Sequence, residues 1–119
     1  MVKTNVKLVD DVNREPPDIF RAAINDDVRE LRAALSEGQS LDTPNRLHYG
    51  MTPVHLACAK HSLNFIDEAL KETFNAWARD LGGRLSMDYA IAEGLEDVAE
   101  MLLERLYPRD ASGRPRMPF

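Results

Sequence analysis

Three side chains with metal-binding chemistry fall close together in the chain: His55, Cys58 and His61. Imidazole and thiolate are the usual protein ligands of zinc. On a helix, however, side chains six residues apart point about 120° away from each other, so the two histidines do not face one ion. Cys58 is the sole thiol and therefore the one candidate thiolate nucleophile. It sits within Val54 to Ala59, the longest nearly unbroken apolar run, where burial would leave a thiol inert. Gly82-Gly83 has the composition of a phosphate cradle, but no phosphate-loop or dinucleotide fingerprint surrounds the pair, and a turn accounts for it. The nucleophile elbow Gly-x-Ser-x-Gly is absent as well. Asp26-Asp27, Glu93, Glu96-Asp97 and Glu100 occupy mostly polar helix positions and read as a solvated face. The expectation is a protein without catalytic residues, metal, cofactor or small-molecule substrate.

Composition narrows the function further. At 119 residues the chain has the size of one domain, and 44% hydrophobic residues suffice for a core. Twenty acidic against fifteen basic residues leave a net charge of −5, which argues against general nucleic-acid binding. No apolar stretch is long enough to span a membrane, and the first seven residues lack the apolar core of a secretory signal. A single cysteine makes no internal disulfide. The expected setting is therefore the cytoplasm, with no membrane partner.

The elements that position these residues repeat. Gly50 and Gly83 are 33 residues apart, as are Ala57 and Ala90, and Ala69-Leu70 returns as Leu102-Leu103 at the same spacing. Upstream, Ala22-Ala23 precedes Ala57-Cys58 by 35, and Ala34-Leu35 precedes Ala69-Leu70 by 35. The offset predicts two additional residues in the loop between Asp42 and Gly50. Each unit reads as two short helices. Val28, Leu31, Ala34 and Leu35 form one apolar stripe, Phe65, Ile66, Ala69 and Leu70 a second, and Leu95 to Leu106 a third. Thr52 suits an N-cap and Pro53 the first helical position, whose amide needs no partner. Gly38 suits a helix end, and Pro108 stops the last helix.

These residues carry a family resemblance. Thr52-Pro53-Val54-His55-Leu56-Ala57, with Gly50 two residues ahead, resembles the Thr-Pro-Leu-His-x-Ala signature of ankyrin repeats. The resemblance implies an all-α fold, a short solenoid of three helix pairs with extended loops, over residues 18–107. Its repeats would run over about 18–43, 44–79 and 80–107, after a leader (1–17) and before a Pro/Arg-rich tail (108–119). It also implies roles for Gly50, Thr52, Pro53, His55, Ala57 and Gly83 as structural signature residues. Thr52 would cap the helix, while His55 would bond to Thr52 and to the adjoining loop. The third unit has Leu85-Ser86-Met87-Asp88-Tyr89 where the signature would stand, so the Thr–His bond is not expected there. Ser86 and Asp88 remain suited to a helix N-terminus. The first unit lacks the signature, as terminal repeats commonly do.

Within the resemblance, partners are held by the loop tips and the exposed face of each first helix. Carried over position by position, this assigns Arg46, His48, Tyr49 and Met51 in one loop and Lys60 on its helix. It assigns Trp77, Arg79, Leu81 and Arg84 in the next loop and Glu93 on that helix. Trp77 is open to two readings, a partner anchor or packing against Leu47 or Leu81. The function implied is non-catalytic capture of another protein, as an inhibitor, immunity-type neutraliser or adaptor, by a monomer. The alternative is a structural unit that self-associates through the third repeat's apolar stripe and the Phe119 tail. An acidic body favours a basic target, whereas the loop face is rich in arginine, which leaves the target's charge open. The tail, with Arg109, Arg114, Arg116, Met117 and Phe119, either extends the interface or is a solvated end.

Overall fold

A computed structural model describes residues 15–108. The expectations for the leader before residue 15 and for residues 109–119 lie outside the described residues. Among the described residues six α-helices follow one another: α1 (Ile19–Asn25), α2 (Val28–Ser36), α3 (Pro53–Ala59), α4 (Leu63–Ala69), α5 (Ser86–Ala92) and α6 (Glu96–Leu106). They form three pairs, α1 with α2, α3 with α4 and α5 with α6. The first helices stack on one another (α1, α3, α5), and α2 packs on α4. A single antiparallel bridge, Asn45 to Met51, is the extended pairing among the described residues.

Small residues let the pairs approach. Ala22, Ala57 and Ala90 occupy one position in successive units and are all fully buried. Around them Ile19, Leu31, Phe65, Ile66 and Leu102 fill the core. A separate small cluster of Ala76, Leu85 and Leu106 closes the C-terminal end.

Helix ends are specified locally. Asp18 and Asp27 cap α1 and α2, accepting from the amides of Phe20 (2.9 Å) and Glu30 (3.0 Å). Gly38, at φ +88°, ends α2 with paired bonds, Gly38 N–H to Leu35 and Gln39 N–H to Ala34, both 3.1 Å. The turn inside each pair needs one left-handed residue, supplied in order by Asp26 (φ +56°), His61 (φ +58°) and Gly94 (φ +76°). Asp tolerates this conformation better than most residues. Asp26 is also used across the repeat boundary: its carboxylate accepts from the Phe65 amide (2.7 Å) and the Asn64 side chain (2.9 Å). The start of α4 is thus satisfied by the preceding repeat, since Ser62 makes no side-chain cap bond of its own. Instead, the Ser62 hydroxyl donates to the carbonyl of Ala23.

The long loops are hairpins of unequal size. Asn45 N–H donates to Met51 (2.9 Å), closing one; Asp80 N–H donates to Arg84 (3.0 Å), closing the other. The two additional residues therefore sit in the first hairpin tip. They are accommodated by a single 3₁₀ turn, Arg46–His48, capped by the Asn45 side chain.

Candidate binding surface

Thr52, His55 and Arg84 tie the second repeat to the third. The Thr52 backbone N–H donates to His55 Nδ1 (3.1 Å), and the Thr52 hydroxyl lies 2.7 Å from the same nitrogen. An Nδ1 that accepts from an amide leaves the proton on Nε2, which donates to the Arg84 carbonyl at 2.8 Å. The ring is buried, and its edge meets Tyr89 at 5.7 Å between centroids. Burial lowers the His55 pKa below its ordinary value, so the imidazole is held neutral. In the third unit Asp88 takes over part of this task by accepting from the Leu85 amide (2.8 Å).

The second hairpin is built around one inward carboxylate. Asp80 Oδ1 accepts from the amides of Gly82 and Arg84, both at 2.9 Å, and Oδ2 accepts from the Tyr89 hydroxyl. Burial raises the Asp80 pKa, but these donors outweigh it and hold the group ionised below the usual carboxylate range. Arg79 closes the same turn from outside, donating to the Gly83 carbonyl at 2.7 Å. The two hairpins are joined where Leu81 N–H donates to the Tyr49 carbonyl (2.8 Å). Gly50 permits that approach, since a Cβ there would stand 3.0 Å from Leu81 Cγ. Tyr49 itself is left-handed (φ +57°), and its side chain is exposed.

The expected surface residues separate into three groups. Arg46, Tyr49 and Leu81 are exposed at the tips, with His48 half-buried among them, and Arg79 and Arg84 are exposed at the base of the second hairpin. Lys60 and Glu93 are exposed at the ends of α3 and α5, and Glu93 accepts from or pairs with His61 Nε2 at 2.8 Å. Two expectations need correction. Met51 is buried in the main core, because its bridge to Asn45 draws it to the hairpin base beside the Thr52 cap. Trp77 is not at a tip: its indole N–H donates to the Leu106 carbonyl (3.2 Å) and its ring meets Tyr107 edge-on at 5.3 Å. Its packing partners are thus the end of α6, and neither Leu47 nor Leu81, both of which project into solvent. Leu47, 90% exposed, is the surface residue the loop assignment missed. Its signal in the sequence was an apolar side chain between Arg46 and His48 in a loop without periodicity.

Elsewhere the chemistry is structural. Cys58 is fully buried, which pushes its thiol pKa up to about 12. Among the described residues no three His, Cys, Asp or Glu side chains converge as a metal site would require. A cleft of about 410 Å³ lies against α1 and α2, lined by no hairpin residue, and its Arg21 is already paired with Glu30 and Glu15. No described helix is long and apolar enough to cross a membrane.

A family model of ankyrin repeats, in three copies, matches residues 19–111. No curated protein matches the chain.

Proposed function

Because the chain belongs to the ankyrin-repeat family, whose members generally mediate protein–protein interaction and are typically non-catalytic, we propose that it acts by stoichiometric capture of a partner protein. The partner contacts the hairpins through Arg46, His48, Tyr49, Arg79, Leu81 and Arg84, with Lys60 and Glu93 flanking on the first helices. One observation carries this reading: the hairpins are locked together by Leu81 N–H and the Tyr49 carbonyl, yet the Tyr49 ring is left 76% exposed. An exposed tyrosine on a braced turn is the kind of side chain that dominates interface energetics. The role is that of a small inhibitor, neutraliser or adaptor, acting as a monomer in the cytoplasm, where a lone thiol such as Cys58 stays reduced.

Affinity capture from the source cell, followed by titration of the purified partner, tests it. Tyr49→Ala combined with Arg79→Ala should weaken capture about a hundredfold if both are anchors, with melting checked because Arg79 also closes its turn. Glu100→Lys, on the opposite helices, should change nothing. The reverse pattern would place the partner on the convex side. Self-association is the second reading, favoured by Ile91: it occupies the position of the fully buried Ala23 and Cys58 but is 60% exposed. A dimer that light scattering finds at every concentration would establish that alternative.

A further inference from the structure

We propose that the two hairpins form one apolar–arginine patch that takes an acidic protein segment carrying a large apolar side chain. The inference deepens the capture reading and rests on it. The patch comprises Arg46, Leu47, Tyr49, Arg79, Leu81 and Arg84. Leu47, Tyr49 and Leu81 are 90%, 76% and 79% exposed, an unusual concentration of apolar surface on adjoining turns.

These side chains are presented on a rigid base. Asn45 accepts from the Gly50 amide at 2.8 Å, Asp80 holds the second turn from inside, and Leu81 N–H fastens one turn to the other. Binding would therefore order little backbone, and the cost of association falls accordingly.

Charge selects the partner. Residues 44–51 contain no carboxylate, and the one carboxylate in residues 79–84, Asp80, is buried and committed to the hairpin. Among the described residues no ion pair engages Arg46, Arg79 or Arg84, although Arg79 donates to the Gly83 carbonyl and the Arg84 side chain bonds to the Tyr89 hydroxyl. Residues 86–104, by contrast, carry six carboxylates and no lysine or arginine. An acidic segment is thus repelled by residues 86–104 and attracted to the arginines of the hairpins, which orients its approach. Guanidinium forks match carboxylates geometrically, and the leucines with Tyr49 supply the apolar seat between them. A nucleic-acid backbone would find the arginines too, but it gains nothing from Leu47 and Leu81 and meets a net charge of −5.

A random-peptide display library, panned on the full chain, tests the proposal. Selected peptides should be rich in Asp and Glu around one or two large apolar residues. They should shift the amide resonances of residues 46–51 and 79–84. Binding should fall about tenfold or more in the Arg46→Glu, Arg84→Glu double variant and weaken steadily with added salt. A second variant, Leu47→Ser with Leu81→Ser, keeps the charge and should lose affinity without changing the salt dependence. Peptides that bind the tips with no acidic bias, or with no salt dependence, overturn the partner class and leave capture standing. Peptides that settle on the helical faces, or a selection that returns nothing above the background of the double arginine variant, overturn both. Preferential binding of a single-stranded DNA oligonucleotide at the tips also overturns the proposal.

Discussion

Replacing His55 by alanine removes a side chain that bonds both within its own repeat and to the next one. Its Nδ1 accepts from the Thr52 amide at 3.1 Å and lies 2.7 Å from the Thr52 hydroxyl, and its Nε2–H donates to Arg84 at 2.8 Å. After truncation the Thr52 hydroxyl is free to turn toward another acceptor, but the Thr52 amide is buried and orphaned, at a cost of about 2 kcal/mol. The Arg84 carbonyl keeps the Asp80 amide as a donor at 3.0 Å, so the loss there is about 1 kcal/mol. The expected destabilisation is therefore about 3 kcal/mol, or a midpoint shift of about 2 M in urea for a domain of this size. Urea unfolding followed by circular dichroism measures it. Combining the change with Thr52→Val should give a coupling of about 1 kcal/mol or more, because the two residues share one network. A variant that unfolds within about 0.5 kcal/mol of the parent refutes the bridging role. Proton linkage gives a further check with a defined sign. Burial places the folded pKa of His55 below its ordinary value of 6.5, so near that pH the unfolded chain binds the extra proton. The contribution is complete above pH 6.5 and shrinks as the pH falls toward the folded pKa. The parent should lose this part of its stability on acidification, and His55→Ala should not.

Other substitutions probe separate parts of the same frame. Cys58 should resist a thiol reagent at mildly alkaline pH until the chain is unfolded, and Cys58→Ala should cost no more than about 1 kcal/mol; rapid labelling of the native protein would contradict the burial. Gly50→Ala must combine a positive φ with the contact to Leu81 Cγ, whereas Gly83→Ala, also at positive φ, meets open space. Melting curves should rank Gly50→Ala as the worse by about 1 kcal/mol or more, and the opposite order would show that the hairpins are not fastened at Gly50. Trp77→Phe keeps an aromatic ring beside Leu106 but drops the indole bond, so about 1 kcal/mol should be lost in denaturant unfolding; an unchanged midpoint would remove Trp77 from the C-terminal anchor.

Most of the helical framework is legible in the sequence. The 33-residue spacing, the alanine pairs and the Thr-Pro entry to α3 identify three helix pairs, because helical burial repeats with a fixed period and caps are local chemistry. The Thr52–His55 bond followed from the resemblance and spans only three residues. Loops lack such a period, and there tertiary structure alone decided. It drew Met51 inward through a bridge to Asn45, and it sent Trp77 to the end of α6. It left Leu47 and Leu81 in solvent, although an apolar residue in a loop is as compatible with burial as with exposure. It also gave Asp26 two donors from a helix 38 and 39 residues away, where the sequence shows only a polar break. The physical reason is the same in each case. A loop side chain takes its environment from whichever element the stacking of repeats brings against it, and that neighbour is distant in the chain.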